Sequence, residues 1–238
     1  MWKLPFYIGN FVACFVPGTM RRARVRGWIN ITLYRPQISA FIKRVYGERA
    51  RNVRFIRQRT LNRVVCVVND KYYVKIFRNV SIARLRDFMF LVNYTADRMH
   101  TVRIPRVIVN DNAQMYVCER MPGHDISHFA HADVLRNEEK ILAAVNNIID
   151  ELQSIDVMQI PDWQRFVCGM QFHHFDSPVY GRGPVLGHFD MNETNFLFDD
   201  DMNICSVVDW DALSIANNPE TDRRIFMNFW NLYKKYGK

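Results

Sequence analysis

The sequence predicts an α+β protein built as a helical leader, a five-stranded antiparallel N-terminal lobe carrying one helix, and a mainly helical C-terminal lobe. Three observations predict it. Strand-like apolar runs are concentrated in roughly residues 53–119. Pro122-Gly123 then breaks the pattern, as a hinge or boundary does. Beyond it, apolar residues recur at helical spacing. The expected divisions are 1–47 for the leader, 48–122 for the N-lobe and 123–238 for the C-lobe.

The leader is mostly helical. Its stretch around Ile38, Phe41, Ile42 and Val45 is amphipathic and ends at Gly47. Residues 53–58 alternate, whereas 63–68 and 72–77 are apolar strand runs joined by Asn69-Asp70, a hairpin turn. A helix over 81–98 follows, with Ile82, Leu85, Phe88, Met89 and Val92 on one face. Strands near 106–109 and 114–119 are joined through Asn110-Asp111-Asn112. Asp133 is the expected N-cap of a long helix running through Ile141, Val145, Ile148 and Leu152 to about 153. Residues 156–184 read as irregular. Strands at 196–198 and 204–208 flank the turn 199–203, and 221–236 reads as an aromatic-rich helix.

Composition bounds the partners. At 238 residues the chain exceeds a domain of roughly 100–150 residues, so one bilobed unit fits best. A net charge of +8 favours anionic partners: nucleotide, phospholipid headgroups, acidic glycans or nucleic acid. Arg21, Arg22, Arg24 and Arg26 form one basic cluster; Arg49, Arg51, Arg54, Arg57, Arg59 and Arg63 form a second. Neither accompanies a zinc finger or RNP-type motif, so nucleic acid is not the expected partner. Cys14, Cys66, Cys118, Cys168 and Cys205 are odd in number with no C-x-x-C pair, which points to a reducing compartment, the cytoplasm.

Residues 4–16 are largely apolar but too short to span a bilayer as a helix. An apolar segment followed by four arginines suits an interfacial anchor at the inner face of an anionic membrane. The alternative is a first helix packed on the core with its arginines in solvent.

The chemistry lies in residues 186–211. Phosphoryl transfer needs a positioned acceptor hydroxyl, divalent cations on the nucleotide phosphates and charge stabilisation. Magnesium prefers oxygen ligands and keeps several waters, so one carboxylate and one amide oxygen can suffice. His188-x-Asp190-x-x-x-x-Asn195 offers a base and an amide ligand on one tight loop. The hairpin 196–208 then returns the chain, placing Asp209 beside that loop.

The segment GHFDMNETNFLFD followed by VVDWD resembles the catalytic and metal loops of the aminoglycoside phosphotransferase and choline kinase-like family, and of small lipopolysaccharide core sugar kinases. The resemblance spans roughly residues 50–215 and includes Val74-Lys75-Ile76 and Cys118 to Gly123. It implies the two-lobed protein-kinase-like fold, with ATP and Mg2+ as cofactors. Asp190 would be the base that orients the acceptor hydroxyl, with His188 its structural neighbour. Asn195 and Asp209 would be metal ligands, and Lys75 would reach the nucleotide phosphates. Glu119, Arg120 and Met121 would form the hinge whose backbone binds adenine.

The chain departs from the family pattern in places. The loop Arg59-Thr60-Leu61-Asn62 has no glycine, leaving backbone amides or the Thr60 and Asn62 side chains to cover phosphate. The helix 81–98 holds no glutamate to pair Lys75, and Asp87 is the nearest acid. Phe189 stands where the phosphotransferases commonly have glycine. His173, His174 and Asp176, and His124, Asp125 and His128, are weaker metal candidates.

The expected function is therefore an ATP- and Mg-dependent kinase that phosphorylates a hydroxyl of a small molecule or cell-surface saccharide. The saccharide draws on the basic N-terminus and on its likeness to the starts of bacterial surface-polysaccharide enzymes. The alternatives are an antibiotic or choline-type kinase, and a pseudokinase-like binding protein.

Overall fold

The structure, a computed structural model, describes residues 4–16, 18–56, 63–167, 184–216 and 218–237. The chain divides into two compact units, Met1–Arg86 with Val107–Arg120, and Asp87–Arg106 with Met121–Lys238.

The first unit holds α1 (Leu4–Cys14), α2 (Thr19–Tyr46), β1 (Val53–Phe55), β2 (Arg63–Val68) and β3 (Tyr72–Phe77), then β4 (Val107–Asn110) and β5 (Met115–Glu119). The strands form one antiparallel sheet in the order β1-β2-β3-β5-β4. Asn69 and Asp70 both adopt φ 55° between β2 and β3, the left-handed pair that a tight hairpin requires and that these two residue types tolerate. One face of the sheet, with Val64, Cys66, Val68, Val74, Ile76, Met115 and Val117, is buried in a single core with Ile31, Tyr34, Ile38, Phe41 and Ile42 of α2. Cys66 behaves there as a small hydrophobe, and burial pushes its thiol pKa to about 12. Helix α2 stops where Gly47 takes φ 70°, its N–H returning to the Lys43 carbonyl at 3.0 Å.

The boundary between the units falls inside α3 (Ile82–Ala96), and the second unit continues with α4 (His131–Arg136), α5 (Glu138–Ser154), four short strands and α6 (Thr221–Tyr236). Strand β6 (Val185–Gly187) pairs with β9 (Ser214–Ala216), and β7 (Phe196–Phe198) pairs with β8 (Ile204–Val207). Ile141, Val145, Ile148, Ile149 and Leu152 form the buried stripe of α5. Helix α6 is held to α5 through Glu138, which accepts from Trp230 Nε1 at 3.0 Å and from Lys234 at 2.7 Å.

Two expectations are corrected. Asp133 is not the cap of the long helix; it lies inside the short α4, and the chain breaks at Asn137 before α5 begins. Strand β9 has no forerunner in the sequence reading, because Ser-Ile-Ala carries too short a pattern and becomes a strand by pairing with β6.

Candidate active site

Strand β6 delivers the chain into a loop whose polar atoms are paired among themselves. His188 is fully buried. Its Nε2 lies 3.1 Å from the Val208 carbonyl, while the Asp190 backbone N–H donates to Nδ1 at 3.2 Å. A carbonyl can only accept and an N–H can only donate, so Nε2 carries the proton and the ring is neutral. His188 is therefore a strut between Asp190 and the end of β8. Trp210 closes over it, with ring centroids 4.5 Å apart, and its own Nε1 donates to the Val207 carbonyl at 2.8 Å.

Asp190 is held from both sides. The Asn192 amide donates to its carboxylate Oδ1 at 3.1 Å, and the Asn195 amide donates to Oδ2 at 3.2 Å and to the backbone carbonyl at 2.8 Å. Asn195 in turn accepts the Val208 N–H on its backbone carbonyl at 2.9 Å. Val208 thus contacts both His188 and Asn195, and Asp209 is the next residue. Asp209 sits at φ 59°, a left-handed conformation that costs a non-glycine residue about 1–2 kcal/mol and turns the chain sharply out of β8.

Beneath the loop lies Asp222 of α6, a residue that the sequence analysis did not single out. Its carboxylate accepts the backbone N–H groups of His188 at 2.8 Å and Phe189 at 2.7 Å. Burial pushes its pKa up to about 6, against those two N–H groups, which favour the charged form. No local pattern marks Asp222, because its partners are brought near only when α6 docks. The Phe196 and Phe226 rings meet edge to face at 5.5 Å in that docking.

Phe189 adopts φ 58°, which explains why glycine would serve at this position. Its ring fills the place where a side chain on Gly187 would stand, 2.4 Å from a Cβ built there. Glu193 is buried as well, and burial raises its pKa; its Oε2 has no hydrogen-bond partner among the described residues.

The remaining candidates are spread over both units. Lys75 is 8% exposed and pairs with Val65 and Tyr116 in the sheet, its Nζ 5.7 Å from the Tyr116 ring centroid. It alternates onto the sheet face opposite the core residues Val74 and Ile76. Glu119 ends β5, and the Arg120 N–H donates to the Lys71 carbonyl at 2.7 Å; Met121 begins the second unit. The Asp87 carboxylate is ion-paired with Arg165 at 3.1 Å. Thr60 and Asn62 lie outside the described residues, as do His173, His174 and Asp176. The rings of His124 and His128 stack at 3.9 Å, and Asp125 caps its own turn through Ser127 N–H at 2.9 Å. Among the described residues no three His, Cys, Asp or Glu side chains gather into one cluster, so a site built only from those residue types is not present among them.

Solved structures resemble the chain over most of its length. The streptomycin–ATP ternary complex of APH(2")-IIa matches with a TM-score of 0.58 at 14% identity, covering 84% of each chain. This is the aminoglycoside phosphotransferase fold. The GDP complex of wild-type aminoglycoside 2'-phosphotransferase-IIIa matches with a TM-score of 0.57 at 13% identity, over 84% of this chain and 80% of that one. APH(3'')-Id from Streptomyces rimosus matches with a TM-score of 0.56 at 16% identity, over 83% of this chain and 87% of that one. The protein-kinase-like architecture implied by the sequence resemblance is thus the architecture observed. No protein-family model and no curated protein matches the sequence.

Proposed function

We propose that the protein is a kinase that transfers the terminal phosphoryl group of a nucleotide to a hydroxyl of a saccharide. The observation that carries this reading is the pairing of Asp190 with Asn195 and of Asn195 with Val208, which sets a carboxylate, an amide and Asp209 around one loop. Asp190 would accept the hydroxyl proton as the acceptor oxygen attacks. Its two amide partners hold the carboxylate oxygens in place beforehand, and such positioning is most of what this chemistry asks of protein.

The donor set also fits magnesium. The Nδ2 atom of Asn195 faces Asp190, so its Oδ1 is turned away from the carboxylate; together with the Asp209 carboxylate it would offer the hard oxygen ligands this ion takes. When bound, the ion would neutralise charge on the phosphates. Lys75 would supply a further positive charge to them, and Glu119 to Met121 the backbone groups for the base. Since the Arg120 N–H is taken by Lys71, the base contacts fall to its neighbours. The similar structures include complexes with ATP, ADP and GDP, which supports a nucleotide without choosing one.

A saccharide suits the acceptor better than a cationic antibiotic or choline. Cationic acceptors call for uncommitted acids, whereas Asp222 is bound to the loop amides and Glu220 lies 4.0 Å from Arg223. Attachment at a membrane surface would favour a saccharide of the cell envelope, lipopolysaccharide included.

Asp190→Asn tests the reading through magnesium-dependent ATP turnover. A fall of roughly 10²–10⁴-fold is expected, with ATP still raising the melting temperature. Unchanged turnover removes Asp190 from the role of base. A nucleotide-binding regulator without transfer is the second reading, and the Asp87–Arg165 pair favours it, since that carboxylate is committed elsewhere. It predicts ATP stabilisation with no turnover in the unmodified protein.

A further inference from the structure

We propose that the hairpin of α1 and α2 docks the protein on an anionic lipid surface, with the outer face of α1 and Trp28 entering the headgroup region. This goes beyond the kinase reading and stands apart from it.

The observation is an inverted helix. Helix α1 is apolar, yet among its described side chains it turns the small ones inward and large ones outward. Gly9 and Ala13 are buried. A Cβ on Gly9 would stand 2.6 Å from Asn30 Oδ1, so the close approach of the two helices depends on that glycine. Leu4, Tyr7, Ile8, Phe11, Val12 and Phe15 are all exposed, Phe11 by 68% and Phe15 by 76%. Their spacing places them on one helical stripe. An ordinary surface helix does the opposite, and a contiguous apolar stripe left in water marks a binding surface.

Charge identifies the occupant. No Asp or Glu precedes Glu48 in the sequence, whereas Arg21, Arg22, Arg24 and Arg35 are exposed on α2. Arg21 and Arg24 fall on the same stripe of α2 as Trp28, which is 67% exposed. An apolar face on a hairpin that carries arginines and no Asp or Glu of its own is the pattern an anionic headgroup layer attracts, and indole rings favour that depth. A second copy of the same hairpin would bring these arginines against their equals. The hairpin is also braced: Arg22 Nε donates to the Val16 carbonyl at 2.6 Å and Arg26 Nη1 to Asn10 Oδ1 at 3.3 Å. At 11 residues α1 is about 16 Å long, half the thickness of a hydrocarbon core, so it would lie along the interface. Among the described residues no helix is long and apolar enough to cross a membrane.

The test is co-sedimentation of the full chain with vesicles of phosphatidylcholine plus phosphatidylglycerol, against vesicles of phosphatidylcholine alone. The full chain should pellet with the first and stay largely in solution with the second. The double variants Phe11→Asp/Phe15→Asp and Arg21→Glu/Arg24→Glu should each lose at least tenfold in partitioning. Their melting temperatures should hold, because these side chains are exposed. Asp190→Asn should pellet like the unmodified chain, which separates this proposal from the kinase reading. Failure of the unmodified chain to pellet overturns the proposal. So does equal pelleting of the Phe11→Asp/Phe15→Asp variant, or a dimer in solution that this variant splits while vesicle binding persists.

Discussion

The side-chain amide of Asn195 is bound twice to Asp190, at 2.8 Å to its backbone carbonyl and at 3.2 Å to its carboxylate. One amide thus fixes the direction of the carboxylate and, by facing it with nitrogen, turns its own oxygen the other way. Both functions proposed for the loop rest on this orientation.

Asn195→Ala should lower magnesium-dependent turnover by roughly 10²–10³-fold and raise the magnesium concentration needed for half-maximal rate. Asn195→Asp restores an oxygen ligand but sets a second negative charge beside Asp190. Like charges raise a carboxylate pKa, so the acidic limb of the pH–rate profile should move upward in this variant. A profile unchanged from that of the unmodified protein would show that residue 195 does not face Asp190.

Asp222→Asn separates bracing from chemistry. An asparagine oxygen can accept only part of what the carboxylate accepts from His188 and Phe189, and its NH2 would meet an N–H donor. A buried N–H left unpaired costs about 1–3 kcal/mol, so the variant should be less stable. The pH dependence has a definite sign. The pKa of Asp222 is raised from 3.8 to about 6 by burial, so in that window the folded state holds the proton more tightly than the unfolded chain. Its contribution to stability is complete below the lower value and is lost as pH rises through the upper one. The difference in melting temperature between the two proteins should therefore shrink as pH rises from about 4 to about 6. Other carboxylates cancel in that difference.

Gly187 and Phe189 should behave as a coupled pair. Gly187→Ala drives a methyl into the Phe189 ring and should cost about 1–3 kcal/mol. Phe189→Gly relieves a left-handed backbone but empties a buried site, for a net loss of about 2 kcal/mol. With the ring gone, the added methyl has room. A double-mutant cycle by urea unfolding should show a coupling of about 1 kcal/mol or more, and simple additivity would contradict the packing described.

The two leader helices should differ sharply on removal. Deleting residues 1–17 leaves the core of the first unit in place and should leave a folded protein. Deleting 1–47 takes Ile31, Tyr34, Ile38, Phe41 and Ile42 from under the sheet. Each large buried side chain is worth about 2–5 kcal/mol, and together they match or exceed the roughly 5–15 kcal/mol that holds a typical domain. That deletion should give insoluble chain, and Phe41→Ala alone should lose about 3–5 kcal/mol.

Much of the first unit was legible because strands and turns announce themselves locally. Residues 63–68 and 72–77 are β2 and β3 as expected, and Gly47 ends α2 where its pattern lapses. The loop from His188 to Asn195 was legible for a related reason, since a short hairpin brings the chain back to it and spacing alone shows the return. Asp222 was not legible. It lies in the tail among ordinary charged residues, and only the docking of α6 places it under the loop. The outward face of α1 was equally hidden, because an apolar helix reads the same whichever side it buries.

The sequence by itself determined most of the elements, the hairpins and the loop that carries Asp190 and Asn195, with Asp209 at the end of the hairpin that follows, all consequences of short-range periodicity and chain connectivity. The tertiary structure decided which buried acid braces that loop, which nitrogen of His188 carries the proton, and which face of α1 meets solvent. Those outcomes depend on partners distant along the chain, and a one-dimensional pattern of residue types does not say which distant groups will be desolvated together.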